Sequence, residues 1–283
     1  MKSDSLAIKA FRREVWKHYR VSGRHDLPWR KTTNAYKILV SEVMLQQTQV
    51  PRVLEKYKEF LKAFPTVTAF AKASLSAVLK VWSGLGYNRR GKYLHDAAKV
   101  VVGEYRGNIK KALEHPLPGV GPYTRAAVRA FAYNEPHTMI ETNIRAVYLH
   151  HFADLLCKSD LHKKEIKISD AQLVPLIEKS AEGEDPRTWH WALMDYGSYL
   201  KKQFPNPSRK SAGHKKQSKF EGSLRQVRGA VLRALQSAPK TSNELVSELR
   251  SRSLSNALAG LERDGMIRQS VTRSHGLVWR IAE

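Results

Sequence analysis

Leu117-Pro118-Gly119-Val120-Gly121-Pro122-Tyr123-Thr124 is the stretch whose reading decides the fold. It reads as two helices joined by a Gly-x-Gly turn. Glycine has no Cβ, so the backbone can present its N–H groups at the start of the second helix, where the helix dipole favours an anion such as a phosphate. Upstream, Ser41-Glu42-Val43-Met44-Leu45-Gln46-Gln47-Thr48 puts a carboxylate on a segment whose apolar positions, Ile38, Leu39, Val43, Met44 and Leu45, should pack it into a core. A buried, acid-capable Glu42 near a phosphate clamp is the pairing that needs a chemical reason.

Composition narrows the partner. Lys plus Arg number 49 against 26 acidic residues, a net charge of +23, which exceeds what solubility requires and fits an electrostatic footprint for phosphates. A length of 283 residues suits two domains, each with its own core. The one cysteine, Cys157, allows no intrachain disulfide and fits a reducing compartment. The N-terminal residues are polar and lead into Arg12, Arg13, Lys17 and His18 without an apolar stretch, and no apolar run approaches the roughly 20 residues a membrane span needs. A cytoplasmic, nucleoid-associated monomer is expected.

Before residue 200 the apolar residues recur at helical spacing, as in Leu75, Val78, Leu79 and Trp82, or Ala127, Val128 and Phe131. From 201 the texture changes to Pro, Gly and a run of Lys and Arg with Glu221 as its one acid. This basic connector, 201–224, reads either as a solvated linker or as an arm that tracks a backbone. Beyond it, 225–235, 242–249 and 253–263 look like three short helices, and 266–271 and 277–281 like two strands separated by a hairpin at 272–276. That order resembles a winged helix-turn-helix, whose third helix, with Arg252, Ser253, Ser255 and Asn256 near its start, would read a DNA groove or else pack on a partner domain.

Leu27-Pro28-Trp29-Arg30, 41–50, Gly84-Leu85-Gly86-Tyr87, the Gly-x-Gly hairpin and Met194-Asp195-Tyr196-Gly197 stand in an order and spacing that resembles the helix-hairpin-helix base-excision DNA glycosylases, and among them the MutY-type adenine glycosylases. The resemblance covers residues 27–196. It implies that Glu42 is the general acid, protonated near neutrality because burial raises its pKa and able to donate to a ring nitrogen of the leaving purine. It also implies that Gly119, Val120, Gly121 and Thr124 hold a phosphate, that Gln46, Gln47 and Tyr87 fill the gap left by a flipped base, and that Leu27 and Trp29 line the base pocket. For Tyr87, core packing is an equal alternative.

The chain departs from the family in four places. Where the family has an Asp to meet the positive charge developing on the sugar, this sequence has Glu141, followed by Asn143 as a supporting amide. The extra C–C bond of about 1.5 Å matters, because an offset near 1 Å can cost roughly a hundredfold in rate. Glu141 also reads as a helix-start charge facing the dipole. Tyr123 stands where the endonuclease III branch has a lysine, and a phenol cannot form the Schiff base that nicks an abasic strand. The four cysteines that hold an iron-sulfur cluster in most of the family are missing, so no cofactor and no metal site is expected. Lastly, the C-terminal segment is unlike the Nudix-like domain that checks for oxidised guanine in typical members.

The expected fold is mainly α: a two-part helical glycosylase core over 1–200 and a small winged helix over 225–283. The expected activity is monofunctional hydrolysis of the N-glycosidic bond of an extruded base in double-stranded DNA carrying a mispair or damaged base, with adenine opposite guanine or 8-oxoguanine first. A thymine or uracil mismatch glycosylase is the alternative enzyme, and a catalytically weak damage binder or winged-helix regulator the alternative from another class.

Overall fold

The computed structural model describes residues 2–156, 167–213, 219–272 and 276–282. Cys157, Lys215, Lys216 and the hairpin tip 273–275 lie outside the described residues. The chain opens with α1 (Lys2–Ser22), a 3-10 turn at Pro28–Arg30, and α2 (Ala35–Leu45). α3 (Val50–Ala63), α4 (Val67–Ala71), α5 (Leu75–Trp82) and α6 (Arg89–Gly103) lead to the short α7 (Ile109–Ala112) and to α8 (Pro122–Tyr133). α9 (Thr142–Leu156), α10 (Asp170–Ala181) and α11 (Pro186–Gln203) precede a second 3-10 turn at Pro207–Lys210. The C-terminal segment holds α12 (Leu224–Ser237), α13 (Ser242–Leu249), α14 (Leu254–Arg263) and an antiparallel pair, β1 (Ile267–Thr272) and β2 (Gly276–Ile281). These five elements start and end within one to two residues of the segments read from the sequence, the ordinary scatter of element ends. The described residues form two compact units, Met1–Ile38 with Pro122–Lys216, and Leu39–Gly121 with Gln217–Glu283.

In the first unit, α1 buries Ile8, Phe11, Val15 and Tyr19, a three-and-four spacing that lays one face on the core. α9 is buried nearly all round through Ile144, Ala146, Val147, Tyr148 and Leu149, so it is the unit's central helix. α11 packs along it so closely that a Cβ on Gly197 would meet the Asn143 carbonyl oxygen at 2.1 Å. Only glycine allows that approach. The 3-10 turn at Pro207–Lys210 packs on the start of α9: Pro207, Ser208 and Ser211 are buried, and the Ser208 hydroxyl donates to the Thr142 carbonyl at 3.0 Å. This part of the basic connector is thus a fixed element rather than a solvated linker, because its small hydroxyl residues find buried backbone partners among the charges.

In the second unit, the core of the C-terminal segment is extended by two leucines of α5. Leu75 and Leu79 of α5 belong to one apolar cluster with Val231 and Leu232 of α12, Leu258 and Leu261 of α14, and Trp279 of β2. Burying each such leucine stabilises the arrangement by about 2 kcal/mol. Local signals set the helix starts: the Ser223 side chain accepts from the Gln226 N–H, and Thr241 with Glu244 forms a capping box before α13.

Candidate active site

Within the second unit, α2 carries Glu42 at 7% exposure between the buried Ser41 and Val43. The helix ends at Leu45, and the chain turns through Gln46 and an exposed Gln47 at φ 55°. Between α5 and α6 a second turn runs through Gly84-Leu85-Gly86 to Tyr87 at φ 47°. Left-handed backbone at a residue other than glycine is held only where the surroundings impose it, at a cost on the order of 1 kcal/mol.

The residue that imposes it is Arg90. Its Nη1 donates to the carbonyls of Val43 (2.9 Å), Met44 (3.0 Å) and Gln46, while Nη2 donates to Thr48 Oγ1 (3.0 Å) and to the carbonyls of Leu85 (3.3 Å) and Gly86 (3.1 Å). One guanidinium therefore ties the end of the Glu42 helix to both turns. Its carbon also lies 5.3 Å from the Tyr87 ring centroid and 5.7 Å from that of Trp82. Burial pushes Arg90 down to about 10, which leaves it cationic at neutrality. The sequence reading did not single it out.

The two turns line a cleft of about 990 Å³ within this unit, and α12 forms another part of its wall. Arg225 of α12 hydrogen-bonds the Tyr87 hydroxyl and sets its guanidinium 5.1 Å from the Tyr87 ring centroid. Tyr87 is thus held by two arginines on the cleft wall and is not a core residue.

The hairpin is a tight turn in which the Val120 N–H donates to the Leu117 carbonyl at 3.1 Å. Pro118 and Gly119 take its central positions, Gly119 at φ 68°, the pattern of a type II turn. A Cβ on Gly119 would also strike the Tyr93 Cβ at 2.7 Å, so glycine is required twice over. Val120 is buried, whereas a Cβ on Gly121 would meet nothing within 4 Å, which leaves that backbone open to a ligand. Pro122, Tyr123 and Thr124 form the first turn of α8, with Tyr123 half-buried and Thr124 buried.

In the first unit, Glu141 stands just before α9 and folds back onto it. Oε1 accepts from the backbone N–H groups of Asn143 (2.7 Å) and Ile144 (2.9 Å), and Oε2 from the Asn143 side-chain amide (3.1 Å). The carboxylate caps the helix while its own chain curls inward, so the extra methylene does not carry it outward. Leu27 and Trp29 are buried at the 3-10 turn. That turn is anchored by Asp195: Arg30 donates to both carboxylate oxygens (2.7 and 2.9 Å), and Arg24 donates through its backbone N–H (2.8 Å) and Nε (2.6 Å). Burial pushes the Asp195 carboxyl up, but the hydrogen bonds and charges of Arg30 and Arg24 outweigh it and hold the group below the usual carboxylate range. The Met194-to-Gly197 motif thus supports two site elements, Asp195 through the Leu27–Trp29 turn and Gly197 through the start of α9.

The second unit therefore contains Glu42, Gln46, Gln47, Tyr87, Gly119, Val120 and Gly121, and the first contains Leu27, Trp29, Tyr123, Thr124, Glu141 and Asn143. Besides Arg90, sequence reasoning missed Asp195 as an anchor and Arg225 as a cleft residue. The sequence holds one cysteine, so its residues do not fit a four-thiolate cluster. Among the described residues no group of three or more His, Cys, Asp or Glu side chains is placed to hold a metal ion, and no helix is long and apolar enough to cross a membrane.

The model of the HhH-GPD superfamily of base excision DNA repair proteins matches residues 40–173. The adenine DNA glycosylase of Mycobacterium tuberculosis is 34% identical over 243 residues, which cover 78% of this chain and 77% of that protein. This chain belongs to the HhH-GPD superfamily. Several relatives within it are adenine DNA glycosylases: that of Rattus norvegicus is 41% identical over 153 residues, half of this chain. The chain spans 30% of the length of this rat relative. Among solved structures, a thermostable thymine-DNA glycosylase superposes with a TM-score of 0.60 and 27% identity, covering 74% of this chain and 94% of that one.

Proposed function

We propose that this chain is a monofunctional DNA glycosylase that hydrolyses the N-glycosidic bond of a base extruded from double-stranded DNA, adenine mispaired with guanine or 8-oxoguanine being its substrate. The observation that carries the reading is the end of α2, where the buried Glu42 and, five residues on in the turn that follows, the exposed Gln47 flank carbonyls held by Arg90. In this reading Glu42 donates a proton to the leaving base, Glu141 with Asn143 meets the charge developing on the sugar, and Gln46, Gln47 and Tyr87 occupy the gap in the duplex. The turn at 117–121 and Thr124 bind a phosphate through backbone N–H groups, and Leu27 and Trp29 border the base pocket. Residues 1–200 form the glycosylase core, 201–224 a basic connector and 225–283 a winged helix. The enzyme works as a cytoplasmic monomer without an iron-sulfur cluster.

The test is a panel of duplexes, each with one mispair, incubated with the protein and then cleaved with alkali at abasic sites. Excision of adenine supports the reading. Excision of thymine or uracil opposite guanine alone supports the second reading, favoured by the likeness to the thymine-DNA glycosylase structure. Glu42→Gln is expected to bind DNA and to lose at least ~10²-fold in single-turnover excision, the usual contribution of a general acid. A near wild-type rate would remove Glu42 from the mechanism.

A further inference from the structure

The cleft in the second unit has more chemistry than gap filling uses. Beside Gln47 and Tyr87 its lining includes Phe220 and three arginines of α12, Arg225, Arg228 and Arg233. Arg225 is within 5.1 Å of the Tyr87 ring centroid and 6.0 Å of that of Phe220, so guanidinium and aromatic planes alternate along the wall. Arg228 is paired with Asp264, whereas Arg233 is exposed. Alternating aromatic and guanidinium planes on a basic groove suit a nucleic-acid strand whose bases have lost their partners, because bases stack on either plane and phosphates need the cations. α12 is not loosely appended, since its core is shared with Leu75 and Leu79 of α5.

We propose that α12 is a strand-binding element: the strand opposite the extruded base lies in this cleft, with Arg225 taking the edge of the unpaired purine and Arg233 a phosphate. This rests on the glycosylase reading, in that residues filling the gap face the base left unpaired. It gives the C-terminal segment a role in choosing the opposite base through its first helix, not through α14. Arg225 donates to the Tyr87 hydroxyl and, at 3.5 Å, to the Lys219 carbonyl, so its guanidinium fork takes a guanine edge by exchanging these bonds for the O6 and N7 acceptors.

The experiment measures equilibrium binding of the full chain by fluorescence anisotropy, at several salt concentrations, to two duplexes. One carries a tetrahydrofuran abasic analogue opposite guanine, and the other the same analogue opposite a second analogue, with no base to read. Arg225→Met keeps the apolar stem and is expected to lose about tenfold on the guanine duplex, the equivalent of one good bidentate contact, with little change on the baseless one. Arg225→Lys keeps the charge without the fork and is expected to lose the guanine preference while keeping the salt slope. Arg233→Ala is expected to lower the slope by about one on both duplexes. Circular dichroism melting checks that each variant folds. Unchanged guanine preference and unchanged slope in folded variants would overturn the proposal. If the wild type excises no base yet Arg225→Met loses the preference, the glycosylase reading fails and the strand site stands; excision with unaltered binding in the variants sinks the strand site alone.

Discussion

The Asn143 side-chain amide donates to Oε2 of Glu141 at 3.1 Å while the backbone N–H of the same residue donates to Oε1 at 2.7 Å. Together with the Ile144 N–H, they fix the carboxylate by its own helix. In the proposed mechanism helix cap and sugar-facing charge are one group, and substitutions separate the two roles. Glu141→Gln keeps a capping oxygen but no charge, and is expected to melt within a few degrees of wild type while excision falls by about 10²-fold, in the range seen when a transition-state electrostatic partner is removed. Glu141→Asp retains charge and cap, and is expected to stay within about tenfold in rate, since the present side chain already curls inward. A Glu141→Gln protein that excises at the wild-type rate would leave Glu141 as a cap only.

Arg90 offers a sharper test, since its role is to position other groups. Lysine has three donors on a point charge and cannot span carbonyls on both turns. Arg90→Lys leaves several buried carbonyls unsatisfied, at about 1–3 kcal/mol for each group stranded. The expected result is a lowered melting temperature, a raised Kd for abasic-analogue DNA and a lower single-turnover rate, because Glu42, Gln46 and Tyr87 all shift. If the variant melts lower but its binding and rate are unchanged, the clamp is structural alone.

Acid should destabilise the first unit through His151. Burial, aided by the neighbouring His150, pushes His151 down to about 4, and its Nε2 lies 3.1 Å from the Tyr196 hydroxyl. The folded value is below the unfolded value of roughly 6.5, so the unfolded chain binds the extra proton in the window between them. Stability should therefore be intact above about pH 6.5 and fall as the pH drops toward 4. Burial also lowers His18, His95, His150 and His190, so His151→Phe should flatten the melting-temperature profile in this window only in part. A profile of unchanged steepness would show that His151 is not a contributor.

Strand nicking tests the monofunctional reading. Tyr123 cannot form a Schiff base, so borohydride is expected to trap no enzyme–DNA adduct with an adenine mispair. The amine to suspect otherwise is Lys201, lowered by its burial and within the electrostatic reach of Glu141. A trapped band that disappears in Lys201→Arg would establish lyase chemistry from a residue outside the hairpin.

What was legible in the sequence was local. Glycine and proline punctuation marked the turn at 117–121, and three helical runs with a strand pair marked the C-terminal segment, because each depends on residues a few positions apart. Arg90 was not legible: its acceptors in the first turn lie more than 40 positions away and, apart from the Thr48 hydroxyl, are backbone carbonyls, which leave no trace in side-chain pattern. Leu75 and Leu79 showed a helix face but not that α12 would cover it. The buried turn at Pro207–Lys210 was hidden by flanking charge, since its anchoring rests on one serine hydroxyl and a few backbone bonds.

The opposite base is the most exposed prediction, and the chemistry of Arg225 decides its direction. A guanidinium has donors only. In guanine both O6 and N7 accept, whereas oxidation at C8 places a proton on N7 and turns that position into a donor facing the fork. Arg225 can therefore gain a second bond with guanine that it cannot make with 8-oxoguanine in the same orientation, while Gln47, with both a donor and an acceptor, tolerates either base. Between them, Arg225 and Gln47 do not favour the oxidised base. Adenine is expected to be excised opposite guanine and opposite 8-oxoguanine with rates within about tenfold of each other, a difference below ~1.4 kcal/mol in barrier. Single-turnover rates on the two duplexes measure the ratio, and Arg225→Met should lower the rate opposite guanine more than the rate opposite 8-oxoguanine. A ratio in the hundreds favouring 8-oxoguanine, insensitive to Arg225, would mean that another part of the chain reads the oxidised edge.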